Sequence, residues 1–129
     1  MATWEDVARI VGELPLTSEQ SPHDWRVGKK LLAWERPLRS SDREALSASG
    51  SEPPEGDLLG VRVADEGVKF ALVADEPRVY FTTPHFDGYA AVLVKLAEID
   101  VRDLQELITE GWLTQAPKKL VQEFLTGSF

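Results

Sequence analysis

The stretch Thr82-Thr83-Pro84-His85-Phe86-Asp87-Gly88-Tyr89 puts an imidazole, a carboxylate, two aromatic rings and two threonine hydroxyls into one short connection. Binding residues concentrate in loops, where several side chains can be aimed at one point by a rigid scaffold. His85 and Asp87 present two metal ligands, but the neighbouring sequence supplies no third donor at ligand spacing, and no metal is expected. Phe86 and Tyr89 offer flat surfaces on which a base or another planar ligand would stack. The plainer alternative is that both rings plug the end of a sheet while His85 fixes the loop around Pro84 and Gly88. His85, Phe86, Asp87 and Tyr89 are the candidate ligand-loop residues.

A second constellation is electrostatic. Between Trp25 and Arg43 six basic residues (Arg26, Lys29, Lys30, Arg36, Arg39, Arg43) face two acids, Glu35 and Asp42. The local charge is +4 in a chain whose net charge is −8, so the remainder carries −12. A net negative protein repels a polyanion over roughly 8 Å at physiological salt. Binding of nucleic acid would therefore be local, weak and strongly salt-dependent. Arg26, Lys29, Lys30 and Arg36, with Lys118 and Lys119 further along, are the candidate phosphate contacts. The blander reading is a solvated strand face. Trp25 and Trp34 border the same stretch, where a cation inside the protein would sit over an indole; Trp4 and Trp112 fall on core stripes.

Other chemistry is missing. There is no phosphate-binding glycine loop, no dinucleotide fingerprint and no nucleophile elbow. The absence of cysteine excludes disulfides, thiolate zinc sites, iron–sulfur clusters and cysteine nucleophiles, and it suits a reducing cytoplasm. The expectation is a protein that is no enzyme and carries no cofactor. No apolar run approaches the roughly 18–20 residues of a membrane helix, and Met1-Ala2-Thr3-Trp4-Glu5-Asp6 is unlike a secretory signal. No membrane contact is expected, and a monomer or weak dimer suits the composition. At 129 residues and 43% hydrophobic, the chain fits one domain.

The elements that must position these residues follow from hydrophobic period and punctuation. Thr3 with Asp6 reads as a capped helix start, and Trp4, Val7, Ile10, Val11 and Leu14 recur at helical spacing until Pro15. Thr17 to Asp24 reads as loop or edge. Trp25 to Arg36 reads as two short strands bent or paired about Val27-Gly28-Lys29, with Leu32, Trp34 and Arg36 of one parity. The segment 37–56, with five serines and three prolines, is expected to be a mobile loop with at most a short helix near Ser41–Leu46. Val61/Val63, Val68/Phe70/Leu72 and Val79/Phe81 alternate, separated by Asp65-Glu66-Gly67 and Asp75-Glu76-Pro77, which predicts an antiparallel meander. Ala91 to Leu96 is apolar on both faces and predicts a central strand. Asp100 with Asp103 opens a helix buried through Val101, Leu104, Leu107, Ile108 and Trp112. Pro117 opens a last helix, with Leu120, Val121, Phe124 and Leu125 as its apolar face and Gly127 as its cap. The fold class is α+β: an antiparallel sheet of about five to six strands with an N-terminal helix and a C-terminal helix pair on one face. One core is expected to join the helix stripes to Val61, Phe70, Leu72, Phe81, Leu93 and Leu120.

The order of Trp25-Arg26-Val27-Gly28-Lys29-Lys30, the valine-rich meander, Pro84-His85-Phe86-Asp87-Gly88-Tyr89 and Ala116-Pro117-Lys118-Lys119-Leu120 resembles the MmcQ/YjbR family. It is most similar to a branch common in high-GC bacteria, in which a histidine–phenylalanine–aspartate–glycine–tyrosine loop precedes the strand at Ala91–Leu96. The resemblance spans nearly the whole chain, from the first helix to Leu120, and residues 1–129 are expected to form a single domain of that kind. It implies a frataxin-like (CyaY-like) α+β fold and a DNA-binding role through hairpin wings, with DNA as the partner. It transfers no catalytic residue, and the strong acidity departs from a DNA-binding pattern. The alternatives are a regulatory module that meets a protein partner through the sheet face or the 82–89 loop, and a small-molecule binder built on His85, Asp87 and Tyr89. Iron binding through surface carboxylates is not expected, since the first helix offers only Glu5, Asp6 and Glu13.

Overall fold

The first helix, α1 (Trp4–Gly12), starts where the sequence requires. The Thr3 hydroxyl accepts from the Asp6 amide at 3.2 Å and the Asp6 carboxylate accepts from the Thr3 amide at 2.9 Å. This reciprocal cap satisfies two helix-end donors. Val7, Ile10 and Val11 are buried on one face of the helix. The computed structural model describes residues 1–127.

Six strands follow among these residues: β1 (Thr17–Ser21), β2 (Asp24–Val27), β3 (Lys30–Glu35), β4 (Leu58–Arg62), β5 (Tyr80–Phe81) and β6 (Ala91–Lys95). They form one antiparallel sheet in the order β1-β2-β3-β4-β6-β5. The remaining helices are α2 (Ser40–Ala48), α3 (Glu66–Asp75), α4 (Val101–Gln115) and α5 (Lys118–Thr126). α4 crosses β3 and β4 and packs on α1, so both lie on one face of the sheet. The main core under them includes Val7, Leu32, Val61, Val92, Val94, Leu104, Ile108 and Trp112. α5 adds Leu120, Val121 and Phe124 to its edge, and the Phe124 ring sits 4.7 Å from Trp112. Gly127 closes α5 at φ +73°, the left-handed conformation that glycine adopts without penalty.

The opposite, outer face carries a smaller cluster of Leu46, Leu58, Phe81, Phe86 and Leu93, with Trp34 and Leu38 packed against it. Cross-strand register shows how one strand serves both clusters. Phe81 opposes Leu93 on the outer face, while Tyr80 opposes Val94 on the inner face. In antiparallel pairs, residues directly opposite share a face.

Several expectations need correction. Val68, Phe70 and Leu72 belong to α3, not to a strand. The Asp65 carboxylate accepts from the Val68 amide at 2.9 Å and so caps a helix where a turn was read. Alternating apolar residues here also satisfy i, i+4 spacing, as Val68 does with Leu72. Phe70 is consequently 52% exposed instead of buried, and Leu72 and Leu120 sit at the core's margin. Thr17–Ser21, read as loop or edge, is an edge, and pairs as the outermost strand β1. The parity of β3 also changes within the strand. Opposite β2 the register skips Leu32, and this bulge turns both Leu32 and Ala33 into the main core. Leu32 and Trp34 therefore face opposite ways. Finally, the expected mobile loop at 37–56 contains the nine-residue helix α2, which starts at Ser40, not at Ser41, and buries Asp42 and Leu46.

Candidate nucleic-acid interface

The two sequence constellations meet on the outer face of the sheet. Trp25 and Val27 of β2 point into the main core, so Asp24 and Arg26 point outward. Asp24 opposes Trp34, Trp34 opposes Gly60, and Arg62 lies two residues beyond Gly60 on the same face. Gly60 is where the Trp34 indole rests, because a Cβ there would stand 2.6 Å from two atoms of the indole ring. The residue without a side chain creates a seat for a flat aromatic side chain across the strand pair.

The 82–89 loop folds over the end of this face. A short 3-10 turn, Pro84–Phe86, drives the Phe86 ring down to 5% exposure. Its centroid lies 6.3 Å from both Trp34 and Tyr89 and 5.0 Å from His85. Tyr89 stays at the surface, with the Arg62 guanidinium 4.5 Å from its ring centroid and Arg62 Nη1 donating to its hydroxyl at 3.1 Å. Arg62 Nε also donates to the Ala90 carbonyl at 3.0 Å. These bonds fix the guanidinium against the Tyr89 ring. Two contiguous shallow grooves of about 500 and 550 Å³ run across the outer face, both lined by Leu31 and Trp34, with Arg26 in one and His85 and Tyr89 in the other.

The loop is held from below by α3. The Lys69 ammonium is fully buried and donates to the carbonyls of Phe86 and Tyr89, each at 2.9 Å. Its charge is met by Glu66 at 3.3 Å, whose carboxylate also accepts from the Gly88 amide at 3.0 Å. From the other side, Thr83 donates to Asp42 at 3.2 Å, and Asp42 accepts from the Arg39 amide at 2.9 Å and pairs with Arg36 at 2.9 Å. Burial alone would raise the Asp42 carboxyl, but the Arg39 amide, Arg36 and Thr83 together hold it below its ordinary range.

The sequence candidates divide accordingly. Arg26 reaches the outer face, although the Asp24 carboxylate at 2.9 Å claims one edge and raises its pKa. Lys29 and Lys30 are exposed at the turn between β2 and β3, which Gly28 closes at φ +60°. Arg36 is not available to a phosphate. It is 6% exposed, paired with Asp42 and stacked 5.1 Å from the Phe86 centroid, because its strand ends where α2 folds back over it. Lys118 and Lys119 are exposed, but on α5 in the helical layer, away from the outer face. Phe86 is a buried keystone, not a stacking surface. His85 and Asp87 are exposed, and among the described residues no three histidine, aspartate or glutamate side chains converge on a metal position. The cations that do lie over rings among the described residues meet Phe70, Phe81, Phe86 and Tyr89, not an indole. Trp25 is buried, and near it His23 stacks 4.3 Å from Trp4 while its Nδ1 lies 2.8 Å from Glu35.

Arg62 and Lys69 were missed. Arg62 between Val61 and Val63 had the right parity for the outer face, but nothing in the sequence tied it to Tyr89. Lys69 sits in an apolar run where a lone lysine is easily read as the solvent side of a strand.

Comparison with known proteins agrees with this architecture. The crystal structure of Deinococcus radiodurans protein DR2400 superposes with a TM-score of 0.62 at 20% identity, over 88% of this chain and 78% of that one, which is a likeness of fold. Two mycobacterial proteins, "Uncharacterized protein Rv2570" of Mycobacterium tuberculosis and "Uncharacterized protein Mb2600" of Mycobacterium bovis, are each 80% identical over 128 residues, covering 99% of both chains. The YjbR family model matches residues 12–114, from the end of α1 through nearly all of α4. With the helices, the sheet and the 82–89 loop all inside or beside that span, and with mycobacterial relatives as the high-GC resemblance implied, the chain belongs to the YjbR family.

Proposed function

We propose that this protein binds nucleic acid, single strands ahead of duplex, through the outer face of its sheet. The carrying observation is that Arg26, Trp34, Arg62 and Tyr89 share that face, with the Arg62 guanidinium held over the Tyr89 ring. An aromatic platform with fixed cations beside it suits bases that are free to stack, and each stacked base contributes about 1–3 kcal/mol. In a duplex those base faces are already occupied. Lys29, Lys30 and Arg39 supply exposed charge at the margins, and none of them is in an ion pair among the described residues. Against the net charge of −8, a few such contacts give weak binding that salt removes. The reading is of a cytoplasmic binding protein with no catalytic step, and the absence of cysteine is in keeping with a reducing compartment.

Fluorescence anisotropy with a labelled oligothymidine and a labelled duplex, at about 50 and 200 mM salt, tests it. The expected result is micromolar-range binding to the single strand at the lower salt, several-fold weaker at the higher salt, with the duplex weaker than the single strand. No binding to either at the lower salt overturns the reading and leaves the outer face to a protein partner.

A further inference from the structure

Between α3 and α4, beside β5 and on the opposite side of the sheet from the proposed interface, lies an open cavity of about 480 Å³. That is within the size range of small-molecule sites. Its floor is apolar, formed by Val63, Val68, Leu72 and Leu107. Its rim is acidic: Asp75 and Glu76 come from the end of α3, and Asp103, Glu106 and Glu110 from α4. The α4 acids are spaced at i, i+3 and i+7 and so share one helix face. No lysine, arginine or histidine lines the cavity, and none of the five carboxylates is in an ion pair among the described residues.

Tyr80 is the second, independent observation. The residue is only 6% exposed, it lines the cavity, and its hydroxyl makes no hydrogen bond to any of the other described residues. The hydroxyl oxygen itself stays open to the cavity, where a bound donor can reach it. Burial, then the negative charge of Asp103, Glu76 and Glu106, pushes the phenol up to about 12, so the hydroxyl stays neutral and able to accept a hydrogen bond.

The lining excludes most ligand classes. An anion meets five carboxylates and no cation. A metal ion needs converging donors, and no three acidic or histidine side chains among the described residues come together. An apolar floor under a dispersed negative rim, with a neutral acceptor at its base, matches a cation whose charge sits on an organic body. We propose that this cavity binds a protonated amine carried on an aliphatic or aromatic body. The body packs over Val68, Leu72 and Leu107, and the ammonium donates to the Tyr80 hydroxyl and to the carboxylates around it. The proposal is independent of the nucleic-acid reading, because the two sites lie on opposite faces of the sheet.

Amide NMR of the full chain tests it, with phenethylamine as the probe and 2-phenylethanol and 3-phenylpropionate as its neutral and anionic counterparts. The expected result is saturable shifts confined to the amides around Val63, Val68, Leu72, Tyr80 and Leu107. The alcohol should bind about tenfold more weakly and the carboxylate not measurably. Glu106→Gln combined with Glu110→Gln changes two exposed side chains, and it should weaken the amine several-fold with an unchanged melting temperature. Tyr80→Phe should also weaken it, by a larger factor than it weakens the alcohol, whose hydroxyl donates less strongly than an ammonium. A blocked lysine, N-acetyl-lysine methylamide, separates the two sources of such a cation: preference for phenethylamine assigns the site to a free amine, and preference for the blocked lysine assigns it to a polypeptide side chain. Shifts scattered over the acidic surface without saturation, equal affinity for amine and alcohol, or a double glutamine variant that binds like the parent would each overturn the proposal.

Discussion

Lys69 donates its ammonium to the main-chain carbonyl of Phe86 at 2.9 Å, with its side chain wholly removed from solvent. A helix that follows β4 thereby holds a loop that precedes β6, and the held loop positions Tyr89 above Arg62. The charge is tolerated because it has two carbonyls and the Glu66 carboxylate around it.

Lys69→Met keeps the length of the side chain and removes the donor. The Phe86 and Tyr89 carbonyls each retain one backbone donor, from Tyr89 and Ala91. The cost should therefore lie near the single-group penalty, about 1–3 kcal/mol. Urea denaturation measures it, and hydrogen exchange should quicken at Gly88 and Tyr89. A variant as stable as the parent, with an unchanged loop, would mean the ammonium is not what fixes Tyr89.

Two glycines should respond differently to the same added methyl. At Gly111 a Cβ would lie 2.6 Å from the Arg62 carbonyl oxygen, part of the strand beneath α4. Alanine normally gains about 1 kcal/mol over glycine inside a helix, yet Gly111→Ala should lose about 1–3 kcal/mol because helix and strand must separate. At Gly60 the obstacle is the Trp34 indole, also at 2.6 Å, and a half-exposed ring can swing away. Gly60→Ala should cost less and move the Trp34 indole resonance. Equal costs, measured by thermal melts, would contradict this packing.

The pH dependence of stability has a named contributor. Asp42 is held below its ordinary range in the folded state, so the unfolded chain binds the proton first as pH falls. Its stabilisation is present above the ordinary aspartate range, about pH 4, and is lost as pH drops through the depressed folded value. Asp42→Asn should be less stable at neutral pH and should show a flatter decline in acid. A decline as steep as the parent's would assign acid sensitivity to other carboxylates.

Charge reversal tests the proposed interface at its margin. Lys29→Glu with Lys30→Glu takes the net charge from −8 to −12 and the local stretch from +4 to zero. Single-strand affinity should fall, and the salt slope should shrink by about 0.7 for each lost phosphate contact. The fold should change by less than about 0.5 kcal/mol, since both side chains are exposed. An unchanged affinity and slope would remove both lysines from the interface.

The ring platform makes a separate demand. Tyr89→Leu keeps an apolar side chain and removes the stacking surface, and should cost about 1–3 kcal/mol of single-strand binding. Titrations with the same oligothymidine read it directly. Full retained affinity would take Tyr89 out of the interface and leave Trp34 and the cations as its contacts.

The amino-acid sequence determined the parts whose signal is local. The Thr3–Asp6 cap, the α4 stripe of Leu104, Leu107, Ile108 and Trp112, the Gly127 cap and the doubly apolar strand at Ala91–Lys95 each follow from spacing and end chemistry within a few residues. The α+β class followed from the order of such signals, and the family resemblance from the order of the short motifs at 25–30, 84–89 and 116–120. What lay beyond reach was set between distant segments. Whether Val68–Leu72 became strand or helix depended on which surface received Lys69, since its sequence satisfies both periods. Whether Leu32 and Trp34 shared a face depended on a one-residue bulge opposite β2. Arg36 left the list of phosphate contacts, and Arg62 joined the candidate face, for the same reason. A guanidinium's availability is decided by which carboxylate or ring the fold lays against it, and Asp42 and Tyr89 reach theirs only across the tertiary structure.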